Sequence, residues 1–337
     1  ETLERAGAWA AMQEDGAPLR TMRLVDAGGR EPVVRETADF TADAAGRDMF
    51  GWNVPNAAAR TALLARIGDL PNVHRVVGES VKGYVSRTDE AILRLSGGDQ
   101  IAARLVLAAD GRGSTLRELA GLKVRRWPYG QSALIFAVTH TEPHDGVSTE
   151  IHRTGGPLTL VPMPDLDGKP CSSVVWMVPT AEAKDLNALD DAELSTELTA
   201  RTMGLFGPLV IATPRAVWPI SAQVAPVLIA DRLALMAEAA HVMPPIGAQG
   251  LNTSLHDVET IATLIAGTQD PGAPSVLDAY QRKVAPRMLA RVAGVDLLNR
   301  AAQADAQPLR DLRHLGLKAI NRNPILKALA VRAGMGA

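Results

Sequence analysis

Hydrophobic positions along the chain change period several times, and each change marks an element. In "ETLERAGAWAAM", Leu3, Ala6, Trp9 and Met12 recur at helical spacing, so the chain reads as opening inside a helix. "MRLVDAGGREPVV" alternates and turns at Gly28-Gly29, as a hairpin does. "VPNAAARTALLARIGDL" returns to the helical period, with Pro55 at its N-terminal turn, Leu63, Leu64 and Ile67 on one side and Gly68 near its end. Short strands follow from His74 with a turn at Gly97-Gly98. The last of them, Arg104 to Ala108, is nearly all apolar and reads as a central strand buried on both faces. Between 131 and 179, "SALIFAVTHT", "STEIHRTGGPLTLVPM" and "SSVVWMVP" are strand-like runs separated by Gly, Pro and Asp, which predicts an antiparallel sheet and a second domain. A helical stretch covers about 190–204. The all-apolar run "RLALM" at 232–236 then reads as another buried strand. After it, "LNTSLHDVETIATLIAG" places Leu251, Leu255, Val258, Ile261 and Ile265 on one helical face, and a long helical pattern runs from Val276 to about Ala302, with Pro286 as a kink position.

Composition narrows the function classes. A chain of 337 residues with 47% hydrophobic content can bury a large core, as two domains or as one domain with an insertion. With a formal charge of −2, nothing global argues for a nucleic-acid partner. Cys171 is the only cysteine, which rules out an internal disulfide framework and any multi-cysteine metal site; it reads as a small buried apolar residue. No run approaches the roughly 18–20 apolar residues of a membrane span and no signal peptide is evident, so the reading is cytoplasmic. The chain carries no G-x-S-x-G elbow, no H-E-x-x-H and no P-loop. Ser254, His256 and Asp257 do not make a hydrolytic triad, because neighbours that close on one helix point in different directions.

Two segments share one construction. "RLVLAADGRGSTLR" is an apolar strand that ends near Asp110, then a small-residue loop and a helix; "RLALMAEAAHVMPPIGAQGLN" is an apolar strand that ends near Glu238, then a Pro/Gly loop and a helix. In an open α/β sheet, ligands sit beyond the carboxyl ends of strands, so both acids should enter one crevice. A carboxylate there suits a hydroxyl-rich ligand, accepting hydrogen bonds from ribose or ribityl hydroxyls. Gly247 and Gly250 permit close backbone approach, and the free N–H groups of Gly250, Leu251 and Asn252 form a helix start that favours negative charge.

These residues resemble the FAD-dependent aromatic hydroxylases of the para-hydroxybenzoate hydroxylase superfamily, and most closely the hydroxylases of ubiquinone biosynthesis. The family's Asp-Gly motif, followed by Ser and Arg, matches Asp110, Gly111, Ser114 and Arg117 and implies that they lie near the pyrophosphates of FAD and NAD(P)H. Its later motif, usually Gly-Asp-Ala-Ala-His followed by Pro-Pro, Gly, Gly and Asn, matches from Ala239 through Asn252. It implies cofactor contacts from Glu238, Pro245, Gly247, Gly250, Leu251 and Asn252. Ala237-Glu238 stands where Gly-Asp is commonest; Glu keeps the carboxylate, while Ala adds a methyl. The helix after Pro55 resembles one that lies along the cofactor, implying a contact from Asn56 or Arg60. His241 is weighed as a substrate or flavin contact against a ring satisfied by loop carbonyls.

The resemblance implies a mixed α/β fold: a Rossmann-like FAD-binding domain, an antiparallel-sheet substrate domain and C-terminal helices. The divisions read as 1–124 and 223–304 for the FAD-binding parts, 125–222 for the substrate domain and 305–337 for a basic helical tail. The family's leading βαβ unit with G-x-G-x-x-G has no counterpart here, so the expectation is a chain that is part of a longer product. The implied activity is a flavin-borne, NAD(P)H-fed monooxygenation of a phenol ring, with or without a polyprenyl tail, that needs no catalytic side-chain nucleophile and no metal. A reductase or halogenase on the same fold, and a cofactor-free assembly subunit, are the alternatives. Residues 307–337 hold six Lys/Arg against one Asp, a net +5 that leaves −7 to the rest, interleaved with Leu, Ile and Val. Such a segment suits peripheral membrane contact or docking on a ubiquinone-pathway complex, against the alternative of an ordinary closing helix.

Overall fold

The computed structural model describes residues 1–29, 31, 33–303, 306–323, 326–328 and 331. Its N-terminal helical pattern is split into α1 (Thr2–Arg5) and α2 (Trp9–Gln13), because Gly7 between them takes φ +74° and ends the first helix in a left-handed turn. The chain continues through β1 (Ala17–Leu19), β2 (Thr21–Asp26), β3 (Glu36–Thr41), β4 (Gly51–Asn53) and helix α3 (Asn56–Gly68). A meander of β5 (Val81–Ser86), β6 (Ala91–Leu95) and β7 (Gln100–Ala103) leads to β8 (Val106–Ala108) and the short helix α4 (Thr115–Leu119).

The long strands then follow: β9 (Arg125–Thr139), β10 (Val147–Arg153), β11 (Gly156–Leu166) and β12 (Lys169–Pro179). Helices α5 (Thr180–Ala188) and α6 (Asp191–Arg201) follow β12, and Asp190 starts α6 with a reciprocal cap in which its carboxylate accepts the Glu193 amide at 2.8 Å. After β13 (Val210–Ile211), β14 (Ala216–Val224), β15 (Ile229–Ala230), β16 (Leu233–Leu235) and β17 (His241–Val242) come the helices α7 (Gln249–Ile265), α8 (Pro274–Ala302) and α9 (Gln307–Arg322).

Nine strands form the large sheet, in the order β17-β14-β9-β12-β11-β10-β2-β3 with β13 beside β9. The expected antiparallel sheet is present, but β2 and β3 extend it, β2 running parallel to β10; the 21–41 hairpin therefore joins the strands of 125–222. Strand alternation gives this sheet two chemistries. One face carries Leu134, Phe136, Val138, Val174, Trp176 and Leu160 under α5 and α6, whose Leu186, Leu194 and Leu198 complete the core. The other face carries Ala133, Ile135, Val175 and Met177 and packs against Ile246 of the Pro/Gly loop. At its far end α9 covers Met22, Leu24, Ala38 and Phe40 with Leu317 and Ile320. Arg35 pins that helix by donating to Asp26 and to Asp311, both at 2.7 Å.

A second sheet, β15-β16-β8, is wrapped by α7 and α8 through Ile261, Leu277, Tyr280, Val284 and Met288. Here one expectation is corrected. β8 is three residues long, pairs among the described residues only with β16, and leaves Leu107 39% exposed, so within the described residues it stands at an edge with one face covered. Uniform apolarity reported a strand in a parallel pair but could not report which neighbours flank it.

Candidate active site

Strands β8 and β16 run parallel with Ala108 beside Leu235, and Met236 donates its amide to the Ala108 carbonyl at 3.0 Å. The loops that leave these strands therefore start side by side, which is how Asp110 and Glu238, more than a hundred residues apart, come to one edge. Arg112 spans the gap, its guanidinium 3.5 Å from the Glu238 carboxylate, and the Glu238 side chain is half exposed.

Asp110 is exposed, and its carboxylate folds back onto its own loop. Ser114 Oγ donates to one carboxylate oxygen at 2.5 Å and the Leu116 amide to the other at 3.1 Å; Ser114 Oγ in turn accepts the Arg117 amide at 3.0 Å and caps α4. The loop turns at Gly111, where φ is +85°. Arg117 is 1% exposed, donating from Nη1 to the Ala239 carbonyl at 2.8 Å and from Nη2 to the Arg112 carbonyl at 3.1 Å. Burial, and after it the nearby Arg126, lower its pKa from the usual guanidinium value. Ser114 and Arg117, implied by the resemblance to lie near the pyrophosphates, are both buried, where Ser114 shapes its own loop and Arg117 ties that loop to the one bearing Glu238. Gln223 strengthens the tie by donating to the Glu238 carbonyl at 3.2 Å.

The second loop is stiffly made. Ala237 adopts φ +51°, a left-handed conformation in which a methyl is strained, which is the physical reason glycine suits this position. His241 is buried with Asp257 of α7, Nε2 to Oδ2 at 3.0 Å, so its partner is a carboxylate rather than the expected loop carbonyl. Asp257 turns in to His241 while His256 turns out to Glu259 at 3.5 Å, the divergence that excludes a triad. Tyr280 donates to the Leu235 carbonyl at 2.9 Å and bolts α8 to β16; burial pushes its phenol pKa up.

Pro245 is exposed, Gly247 takes φ +66° and Ala248 φ +50°, and α7 starts at Gln249 with no side-chain cap. Gly250, Leu251 and Asn252 are exposed on its first turn. A Cβ built on Gly250 meets nothing within 4 Å, and the residue has no left-handed torsion. Neither packing nor backbone conformation therefore requires glycine there. Gly111 likewise faces open space. The residues fit an extended, hydroxyl-bearing cofactor with an anionic or electron-rich edge: a strip clear of side chains, an exposed carboxylate at Glu238, and helix-start amides.

The structure does not bring every candidate into this strip. Asn56 and Arg60 are exposed on α3, which packs on α2 through Ala62, Ala8 and Met12, and among the described residues no hydrogen bond or ion pair joins either to the two loops. Arg112, Gln223 and Asp257 belong to the site without a motif that announces them. For Arg112 the signal is its place between Asp110 and Ser114; for the other two, pairing across elements leaves none.

Residues 1–294 match the family model described as "FAD binding domain". The ubiquinone hydroxylase UbiL of Rhodospirillum rubrum is 33% identical, over 99% of this chain and 76% of that protein. The 3-demethoxyubiquinol 3-hydroxylase of Escherichia coli is 30% identical, over 99% of this chain and 84% of its own length. Among solved structures, a Klebsiella pneumoniae HpxO variant complexed with FAD superposes with a TM-score of 0.77 at 18% identity, covering 99% of this chain and 86% of that one, a likeness of fold.

Proposed function

The chain belongs to the FAD binding domain family, and with it to the FAD-dependent hydroxylases, and on that premise we propose that it is a monooxygenase placing one oxygen on a phenolic precursor in ubiquinone biosynthesis. The observation that carries the reading is the parallel pairing of β8 with β16, which sets two family motifs side by side around a strip that Gly111 and Gly250 leave clear. Bound FAD supplies the redox chemistry by which molecular oxygen is activated. The protein's own groups do the rest. Glu238 accepts hydrogen bonds from the cofactor's sugar-alcohol chain, and the amides of Gly250, Leu251 and Asn252 stabilise negative charge at the ring edge. Ile246 and the apolar sheet wall of Ala133, Ile135 and Met177 exclude water from the reacting face.

The finer parts of the reading are a nicotinamide reductant, NADH or NADPH, and a substrate with a polyprenyl tail. They extend to the surface around α9. Leu297 and Leu298 near the end of α8 and Leu312 and Leu315 on α9 are each more than half exposed, and the sequence of 307–337, which includes α9, carries a net charge of +5. That combination suits an anionic bilayer surface, where a polyprenylated phenol is held. Among the described residues no helix is long and apolar enough to cross the membrane. The expected tail extends over residues 332–337, which lie outside the described residues.

The test is direct. Purified full-length protein should take up FAD and, with NADH or NADPH and air, add one oxygen atom to a 2-alkylphenol, read by product mass. Protein that stays colourless with excess FAD would favour the assembly-subunit reading, and yellow protein that leaves phenols unchanged would favour another flavoenzyme class.

A further inference from the structure

The sheet face that packs against Ile246 carries a carboxylate further along. Glu150 of β10 lies opposite Thr159 of β11, Thr159 opposite Val175 of β12 and Val175 opposite Ile135 of β9, so the four share one face, and the last two pack with Ile246. On its other side Glu150 is beside Leu24, which α9 covers. Glu150 therefore stands between the part of the sheet under α9 and the part against the Pro/Gly loop. This stretch is incompletely covered: Ile135, Val175, Thr159 and Val161 stay half-buried, whereas Leu134, Val174, Leu158 and Leu160 on the opposite face are 0% exposed.

Glu150 keeps 15% of its side chain exposed. His152, two residues along the same face, takes one carboxylate oxygen, Nε2 to Oε1 at 2.7 Å. Among the described residues no hydrogen bond or ion pair engages the other oxygen. The neighbouring charges on this side of the sheet are already matched. Asp26 has Arg35 at 2.7 Å and His314 at 3.2 Å, Asp311 has Arg35 at 2.7 Å, Glu36 accepts from Asn321 at 2.8 Å, and Arg310 donates to Thr154 and Gln307. A carboxylate in a largely apolar wall is costly unless both oxygens are served, and packing of the sheet gives no use for it.

We propose that Glu150 receives the proton of the substrate's ring hydroxyl, which makes it a catalytic residue of the hydroxylation and restricts binding to the neutral phenol. In the bound state the phenol O–H donates to the open Glu150 oxygen. As the ring gives up electron density, the proton passes to the carboxylate and the electron pair of the O–H bond stays on the phenolic oxygen; the proton returns to that oxygen in the dihydroxy product. A phenolate has no proton to give and meets a like charge, so it is rejected. Two strand spacings, roughly 10 Å, separate Glu150 from Val175, and a ring lying across Thr159 places its hydroxyl at Glu150. The assignment rests on the monooxygenase reading and deepens it by naming the group that handles the hydroxyl.

The experiment titrates the FAD-loaded full-length protein with a 2-alkyl-4-nitrophenol, whose hydroxyl ionises near neutral pH, and with its methyl ether, reading the flavin absorbance from below that ionisation to well above it. The parent's affinity for the phenol should fall about tenfold for each pH unit above the ionisation, while its affinity for the ether stays level. Glu150→Gln, whose carboxamide donates to a phenolate, should hold FAD and show no fall, and on a 2-alkylphenol it should lower kcat about tenfold or more with KM little changed. Glu150→Asp, which keeps the charge, should keep the fall. A fall of full size in yellow Glu150→Gln overturns the assignment and leaves Glu150 a structural partner of His152. A parent that binds phenolate as tightly as phenol overturns it as well, and that measurement decides even where Glu150→Gln does not fold. No response of the yellow parent to the phenol at any pH overturns the assignment together with the monooxygenase reading.

Discussion

Gly250 offers the sharpest test of the site, because its two effects have opposite signs. It stands in the first turn of α7 with ordinary helical torsion, and a methyl there meets no protein atom within 4 Å. Gly250→Ala should therefore stabilise the cofactor-free protein by about 0.5–1 kcal/mol, the usual helix preference of alanine over glycine. If a cofactor lies against this backbone, the same methyl keeps it at a distance, and a tenfold weaker FAD affinity amounts to roughly 1.4 kcal/mol. With FAD at about a hundred times the parent's Kd, binding adds about 2.7 kcal/mol to the parent and about 1.4 kcal/mol to the variant. The variant should then be more resistant to urea than the parent without FAD and less resistant with it. Urea midpoints measured in both conditions read the reversal. A variant that is more stable in both conditions and binds FAD as tightly as the parent would show that nothing approaches Gly250, and the case for the strip would fail.

Other expectations follow from the same geometry. His241→Leu leaves the Asp257 carboxylate buried without its partner and should cost about 3 kcal/mol, with Asp257→Leu added to it recovering most of the loss in urea unfolding. Asp296 is held at about 2 chiefly by Arg300, with Tyr129 and Trp127 adding to it. A depressed carboxyl stabilises the fold above its unfolded value near 4, and that contribution is lost as pH falls through 2, so the fall in stability between those pH values should be shallower in Asp296→Asn. Ala237→Gly should raise stability by up to about 1 kcal/mol by relieving the left-handed methyl; a thermal midpoint at or below the parent's would contradict the strain. Leu312→Ser with Leu315→Ser should reduce flotation with vesicles containing anionic lipid, and equal flotation would remove the bilayer contact.

The amino-acid order makes visible what depends on near neighbours. Alternation announces the strands of 131–179, and the repeated strand-loop-helix construction points to Asp110 and Glu238 as acids of one crevice; the pairing of β8 with β16 starts the loops that carry them side by side. The resemblance of those motifs supplies the cofactor class. What stays hidden depends on distant partners. The resemblance places Arg117 near the pyrophosphates, and nothing local in the sequence tells that the carbonyl its guanidinium serves belongs to Ala239. His241 shows no partner in its own segment because Asp257 is two helical turns into α7. Helix α5 escapes because polar and charged residues dominate it, with only Ala183 and Leu186 buried.

Because Arg117 is sealed inside and grips carbonyls on both sides, the spacing of the two strand tips is set when the chain folds, not when a ligand arrives. The conformational ordering of this cleft is then already complete before the flavin meets it, and little of the binding energy has to be diverted into assembling the walls.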